Sequence, residues 1–155
     1  VSRDELLQAL RARFPGVALE EAPSMPVLKP VLGEFRPLME ALRHEPGLAF
    51  DYPLSQTALD QMEKGLIVSV YHLFSSAHRQ SLCVKVDLDR AHPSIPTVSD
   101  LWRGCEWFER ETFDFFGVAF EGHPDLRRIM LTDDWVGWPL RKDYQDPRMV
   151  PRPVF

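Results

Sequence analysis

Leu6, Leu7, Leu10 and Phe14 recur at helical spacing behind Ser2 and Glu5, whose S-x-x-E separation is that of a capping box, until Pro15-Gly16 stops the run. The pattern predicts an amphipathic helix over about residues 3 to 13. Between Val17 and Gly33, three prolines (Pro23, Pro26, Pro30) break up short apolar stretches, which predicts a loop leading into one edge strand near Val27 to Leu32. Phe35, Leu38, Met39 and Leu42 fall at i, i+3, i+4 and i+7. That is a second amphipathic helix, with Pro37 in its first turn and Pro46-Gly47 ending it. The period then changes. Residues 47–59 and 66–75 are dense in apolar and aromatic side chains, and Ser81 to Leu88 alternates, with Leu82, Val84, Val86 and Leu88 opposite Cys83, Lys85 and Asp87. The polar stretch Ser75 to Gln80 suits a hairpin connection. Together these predict a sheet of four or five strands with helices on one face, an α+β fold of two layers whose alternating strand keeps one face wet. After His92-Pro93-Ser94-Ile95-Pro96, caps at Thr97, Ser99 and Asp100 predict a short helix around Leu101 and Trp102. A longer helix follows from about Gly104 to Phe116, closed by Gly117.

Beyond Pro124 no period is sustained, and Pro139, Pro147, Pro151 and Pro153 crowd the end of the chain. The expected organisation is one α+β domain over residues 1–138 and a proline-rich extended tail over 139–155 that needs a surface to lie against. A length of 155 residues, 45% of them hydrophobic, suffices for one domain with a real core. The net charge of -5 offers no general attraction to nucleic acid or to an anionic membrane surface. The longest uncharged run, Gly65 to Ala77, holds Ser69, His72, Ser75 and Ser76, so no membrane-spanning helix is expected. No basic and then apolar stretch opens the sequence, from which a cytoplasmic address is expected. Cys83 and Cys105 lack a C-x-x-C frame and are expected as buried core thiols, not as a disulfide or cluster ligands.

The helix over 106–116 carries the specific signal. On a helical wheel Phe108, Thr112, Phe115 and Phe116, flanked by Glu109 and Phe113, form a broad, largely aromatic side that should pack on the sheet. The other side holds Glu106, Arg110, Glu111 and Asp114, with Glu106–Arg110 and Arg110–Asp114 spaced as i, i+4 pairs. Trp107 lies within this charged arc, where it is covered either by a partner or by the chain's own tail. Glu109, Glu111 and Asp114 invite an acid/base hypothesis, but Arg110 favours structural ion pairs. His123, in Glu121-Gly122-His123-Pro124-Asp125, has no metal-binding frame around it and is expected to cap or hydrogen-bond. Gly117 and Gly122 have P-loop spacing without the Lys and Ser/Thr that grip phosphate, and neither a G-x-G-x-x-G nor a G-x-S-x-G motif is present.

The run Glu109-Arg110-Glu111-Thr112-Phe113-Asp114-Phe115-Phe116, followed by His123, Arg127 and Ile129-Met130, resembles the signature of the C-type subunit of NADH–quinone oxidoreductase, the thirty-kilodalton subunit of respiratory complex I. The likeness extends to Tyr71-His72-Leu73, Val84-Lys85-Val86, Ile95-Pro96-Thr97-Val98-Ser99-Asp100-Leu101-Trp102, Gly122 to Arg128, and Pro139-Leu140-Arg141-Lys142-Asp143-Tyr144. The resemblance implies a two-layer α/β sandwich with a mixed sheet. It implies a scaffold subunit of the hydrophilic arm, peripheral on the cytoplasmic face of the membrane, packed on the large D-type quinone-site subunit and other arm subunits. By the same resemblance the chain has no catalytic residues and binds no cofactor, while NADH, FMN, Fe–S clusters and quinone belong to the assembled oxidoreductase. Trp107, Glu109, Arg110, Glu111, Asp114, His123, Arg127, Arg128, Arg141, Lys142 and Asp143 become candidates for docking the partner or holding the domain together. Two other expectations stand beside it: an equivalent subunit of a membrane-bound hydrogenase or formate hydrogenlyase, and a free-standing enzyme using Glu109, Glu111 or Asp114 as acid and base.

Overall fold

Ser2 accepts from the Glu5 amide while the Glu5 carboxylate takes the Ser2 amide, so the reciprocal cap starts helix α1 (Arg3–Arg13) where its spacing implied. The computed structural model describes residues 2–150. After α1 come β1 (Ala18–Glu21), β2 (Pro26–Lys29), α2 (Leu32–His44), β3 (Tyr52–Gln61), a 3₁₀ turn at Met62–Lys64, β4 (Leu66–Ser75), β5 (Gln80–Asp89), β6 (Ser94–Pro96), α3 (Cys105–Phe116) and β7 (Ala119–Glu121). Five strands form one sheet in the order β1-β2-β5-β4-β3. Only β2 and β5 run parallel in it, so the sheet is mixed, and β6 pairs with β7 in a small parallel ribbon. The helices cover one face. Leu6 and Leu10 of α1 and Phe35, Leu38, Met39 and Leu42 of α2 meet Ile67, Tyr71, Leu73, Leu82, Val84, Val86 and Leu88 in a single core.

Several expectations are corrected. The stretch 17–33 forms two strands, not one edge strand: β1 takes the edge and β2 lies inside, because Pro26 and Pro30 sit at its limits and leave Val27 and Leu28 free to pair with Cys83 and Val84. Pro37 lies in the second turn of α2, which begins at Leu32. Residues 47–51 are not strand. There the chain turns, burying Leu48 and Phe50, and β3 starts at Tyr52. No helix forms at Leu101 and Trp102. Both amides return to the Val98 carbonyl in a turn, and the indole N–H of buried Trp102 donates to the Phe50 carbonyl at 2.9 Å. The second face of the sheet is only partly wet, since Cys83 joins Val27, Val68 and Val70 in a small apolar cluster. Cys83 and Cys105 are both free and buried.

Helix α3 packs against β3, and the stripe it buries is Cys105, Glu109, Thr112 and Phe116. Phe108, Phe113 and Phe115 flank that stripe half-buried, so its centre is less aromatic than the wheel suggested. The polar residues are matched: the Thr112 hydroxyl donates to the Gln56 side-chain oxygen at 2.7 Å, with both side chains buried. Gly117 ends α3 at φ 72, a left-handed cap, and its missing side chain leaves room for the ring of Trp138. Residues 122–150 contain no helix or strand, and residues 127–131 among them bond back to α3.

Candidate partner-docking site

The charged arc of α3 is solvated only in part. Arg110 and Asp114 are 6% and 0% exposed, buried by the irregular segment that follows β7. The expected i, i+4 pairs are replaced by bonds to that segment. Arg110 donates to the carbonyls of Arg127 (3.2 Å) and Arg128 (3.3 Å), and its guanidinium lies 5.1 Å from the Trp107 ring centroid. Asp114 Oδ1 accepts from Arg128 Nη1 at 2.8 Å, while Oδ2 accepts the amides of Ile129, Met130 and Leu131 at 3.1, 2.7 and 3.0 Å. Burial alone would raise this carboxyl's pKa, but the three amides and Arg128 outweigh it and hold it below the ordinary value. Arg128 also donates to the carbonyls of Trp135 and Gly137 and stacks on Trp138, so one guanidinium closes the loop between residues 128 and 138.

Outside this anchoring the segment turns apolar groups outward. Ile129, Met130 and Val136 are exposed by 36%, 66% and 85%, and Trp107 by 57%. Among the described residues no tail segment shields Trp107; the last part of the expected tail, 151–155, lies outside them. Residues 140–143, on the tail side of the boundary expected at 138, are bonded into the domain. The Leu140 amide donates to the Phe115 carbonyl and Arg141 to the carbonyls of Phe116 and Arg90. The Lys142 amide reaches Asp60, which also pairs with Arg90, and Arg90 in turn holds Asp143 at 2.6 Å. The Arg90 guanidinium keeps the Asp60 carboxyl below its usual pKa.

The three carboxylates considered for acid/base work occupy three environments. Glu111 is exposed and Asp114 lies under the loop. Glu109 is wholly buried, its oxygens taken by the Thr97 hydroxyl and, at 2.8 Å, by the Val98 amide. His123 hydrogen-bonds as expected, through Nε2 to the Glu106 carbonyl and through Nδ1 to the Asp125 amide, each at 3.0 Å. Arg127 is exposed and pairs with Asp125. A cleft of about 770 Å³ lies near Thr97, edged by Arg36, Asp100, Arg103, Glu106 and Glu121, but Glu109 does not line it. Among the described residues no three His, Cys, Asp or Glu side chains are placed to hold a metal ion. Sequence reasoning missed the Asp60–Arg90 pair and Trp138, whose partners are remote along the chain.

Burial lifts the Glu109 carboxyl to about 7, against the bonds from Thr97 and Val98 that favour its charged form. The folded chain therefore keeps this proton over a range in which an unfolded Glu has lost it. The stabilisation is complete below pH 4.5 and disappears as the pH rises through about 7, an effect on the order of 3 kcal/mol. Wild-type Tm should accordingly decline more steeply from pH 5 to pH 8 than that of Glu109→Gln. Parallel curves would show that the carboxyl is not held protonated.

The sequence pattern described as "Respiratory-chain NADH dehydrogenase, 30 Kd subunit" matches residues 33–149. The chain belongs to that family. It is 41% identical over 142 residues to the C subunit of the NADH-quinone oxidoreductase of Moorella thermoacetica, covering 92% of this chain and 95% of that one. It is also 46% identical over 108 residues to the fused C/D subunit of the NADH-quinone oxidoreductase of Phocaeicola vulgatus, matching 69% of this chain but only 21% of that longer one. Among solved structures, the trypsin-resistant fragment (1-134) of Nqo5 superimposes with a TM-score of 0.66 at 28% identity, covering 81% of this chain and 100% of the fragment. A chain of the archaeal membrane-bound sulfane sulfur reductase (MBS), a respiratory membrane complex, gives 0.80 at 26% identity, covering 92% of this chain and 85% of that one. No helix among the described residues is long and apolar enough to cross a membrane.

Proposed function

We propose that this 30 Kd-family chain is a non-catalytic scaffold of the hydrophilic arm of a proton-translocating NADH–quinone oxidoreductase. It docks on a D-type large subunit at the cytoplasmic face of the membrane and carries no cofactor, leaving NADH, FMN, Fe–S clusters and quinone to the other subunits. The observation that carries this is a set of exposed apolar side chains, Trp107 on α3 and Ile129, Met130 and Val136 on the segment that buried Arg110 and Asp114 tie to that helix. Exposed large apolar groups, a Trp and a Met among them, on an anchored segment have the make-up of an interface core. The fused C/D relative points to the partner, since one polypeptide there carries both subunits. Separation of Glu109, Glu111 and Asp114 into unconnected surroundings supports the absence of acid/base chemistry in this chain.

A second reading keeps the scaffold role in a related membrane complex, a membrane-bound hydrogenase or formate hydrogenlyase; the likeness to the sulfane sulfur reductase chain supports only that such a subunit occurs in more than one kind of respiratory membrane complex. Capture of the tagged chain from native membranes in mild detergent tests both. Recovery of the D-type large subunit with NADH–quinone activity is expected. Recovery of a nickel-site large subunit without NADH oxidation supports the second reading, and a chain recovered alone with its own turnover overturns both.

A further inference from the structure

Asp114 is fully buried, yet all its bonds serve one short stretch of backbone and the arginine within it. Successive amides of an extended chain point to opposite sides, so three of them converging on one oxygen define the path of residues 129–131. That path turns Ile129 and Met130 outward. We propose that Asp114 is a positioning residue for docking: its carboxylate, with Arg128, sets the backbone of 128–131 so that the exposed apolar groups there are in place before the large subunit arrives. The proposal rests on the docking reading above and deepens it. Without the carboxylate, residues 129–131 would have no bonds of their own to α3, only those of Arg110 and Arg128 on either side, and would settle fully only on binding, at a cost to affinity that preorganisation removes.

The carboxylate is specifically required. It accepts on both oxygens and donates on neither, whereas an asparagine turns an NH₂ either toward the Arg128 guanidinium or toward the three amides. Asp114→Asn therefore leaves buried donors facing a donor while barely changing volume.

The experiment uses the full chain and a purified D-type large subunit. In the wild-type chain alone, the amides of Ile129, Met130 and Leu131 should exchange slowly with solvent, and in Asp114→Asn rapidly. Affinity for the large subunit should fall about 10- to 100-fold. The control is Leu28→Ala, which opens a cavity at a 1% exposed core position in β2, three strands from the β3 edge where α3 packs. It should lower Tm yet retain affinity. Unchanged affinity or unchanged exchange in Asp114→Asn overturns the positioning role, as does an equal loss in Leu28→Ala. Failure of the wild-type chain itself to bind overturns the docking reading and the positioning role with it; wild-type binding matched by Asp114→Asn overturns the positioning role alone.

Discussion

Trp107→Ala combined with Met130→Ser should weaken binding to the D-type large subunit by about 100-fold or more while shifting Tm only slightly. The side chains are 57% and 66% exposed in the free chain, so their loss opens no internal cavity. Arg110 links their supports, lying over the Trp107 ring and bonding the carbonyls of Arg127 and Arg128 just ahead of Met130. A tryptophan that acts as a hot spot at an interface centre contributes ~2 kcal/mol or more, and the buried thioether adds about 1 kcal/mol. Isothermal titration with both proteins measures the loss directly. A double variant that binds like wild type would place the partner elsewhere on the molecule.

Gly117→Ala should be the most damaging single-methyl change in the fold. The position has φ 72, and a Cβ built there lies 2.6 Å from Trp138 Cδ2, so backbone strain and overlap act together. Left-handed strain of about 1–2 kcal/mol adds to an overpacking penalty of about 1–3 kcal/mol. For a chain of this size that corresponds to a Tm fall of roughly 5–15 °C. The injury reaches the docking segment as well. Trp138 packs edge-on against Phe113 at 5.4 Å and lies under the Arg128 guanidinium, so moving its ring disturbs the arginine that closes loop 128–138. Differential scanning calorimetry of the variant decides it, and an unchanged Tm would mean that the tryptophan does not fill the space beside the glycine.

What local pattern dictates was legible from the residues. The capping box, the apolar spacing of α1 and α2, the alternation of β5 and the glycine closing α3 each act within a few residues, and all appear in the fold. Elements that owe their existence to distant partners were not. β1 is four residues long with little burial of its own and forms by pairing with β2; β6 and β7 exist only through each other. The same distinction holds at the site. The residues of the α3 signature were picked out, but the helix wheel paired Arg110 with Glu106 and Asp114, because nothing in α3 itself shows that residues 127–131 come back to cover them. Their true partners are backbone groups, which carry no trace in side-chain spacing. The Asp60–Lys142 bond, 82 residues apart in sequence, is a further case.

Amide exchange of the chain, free and then bound to the large subunit, is the most telling measurement. New protection should be confined to the backbone of residues 132–136 beside the apolar groups, the amides of 129–131 being slow already in the free chain, with the outer face of the sheet at Thr57 and Leu59 exchanging as before. Protection centred on the sheet face, or no change anywhere on binding, would contradict docking through these apolar groups.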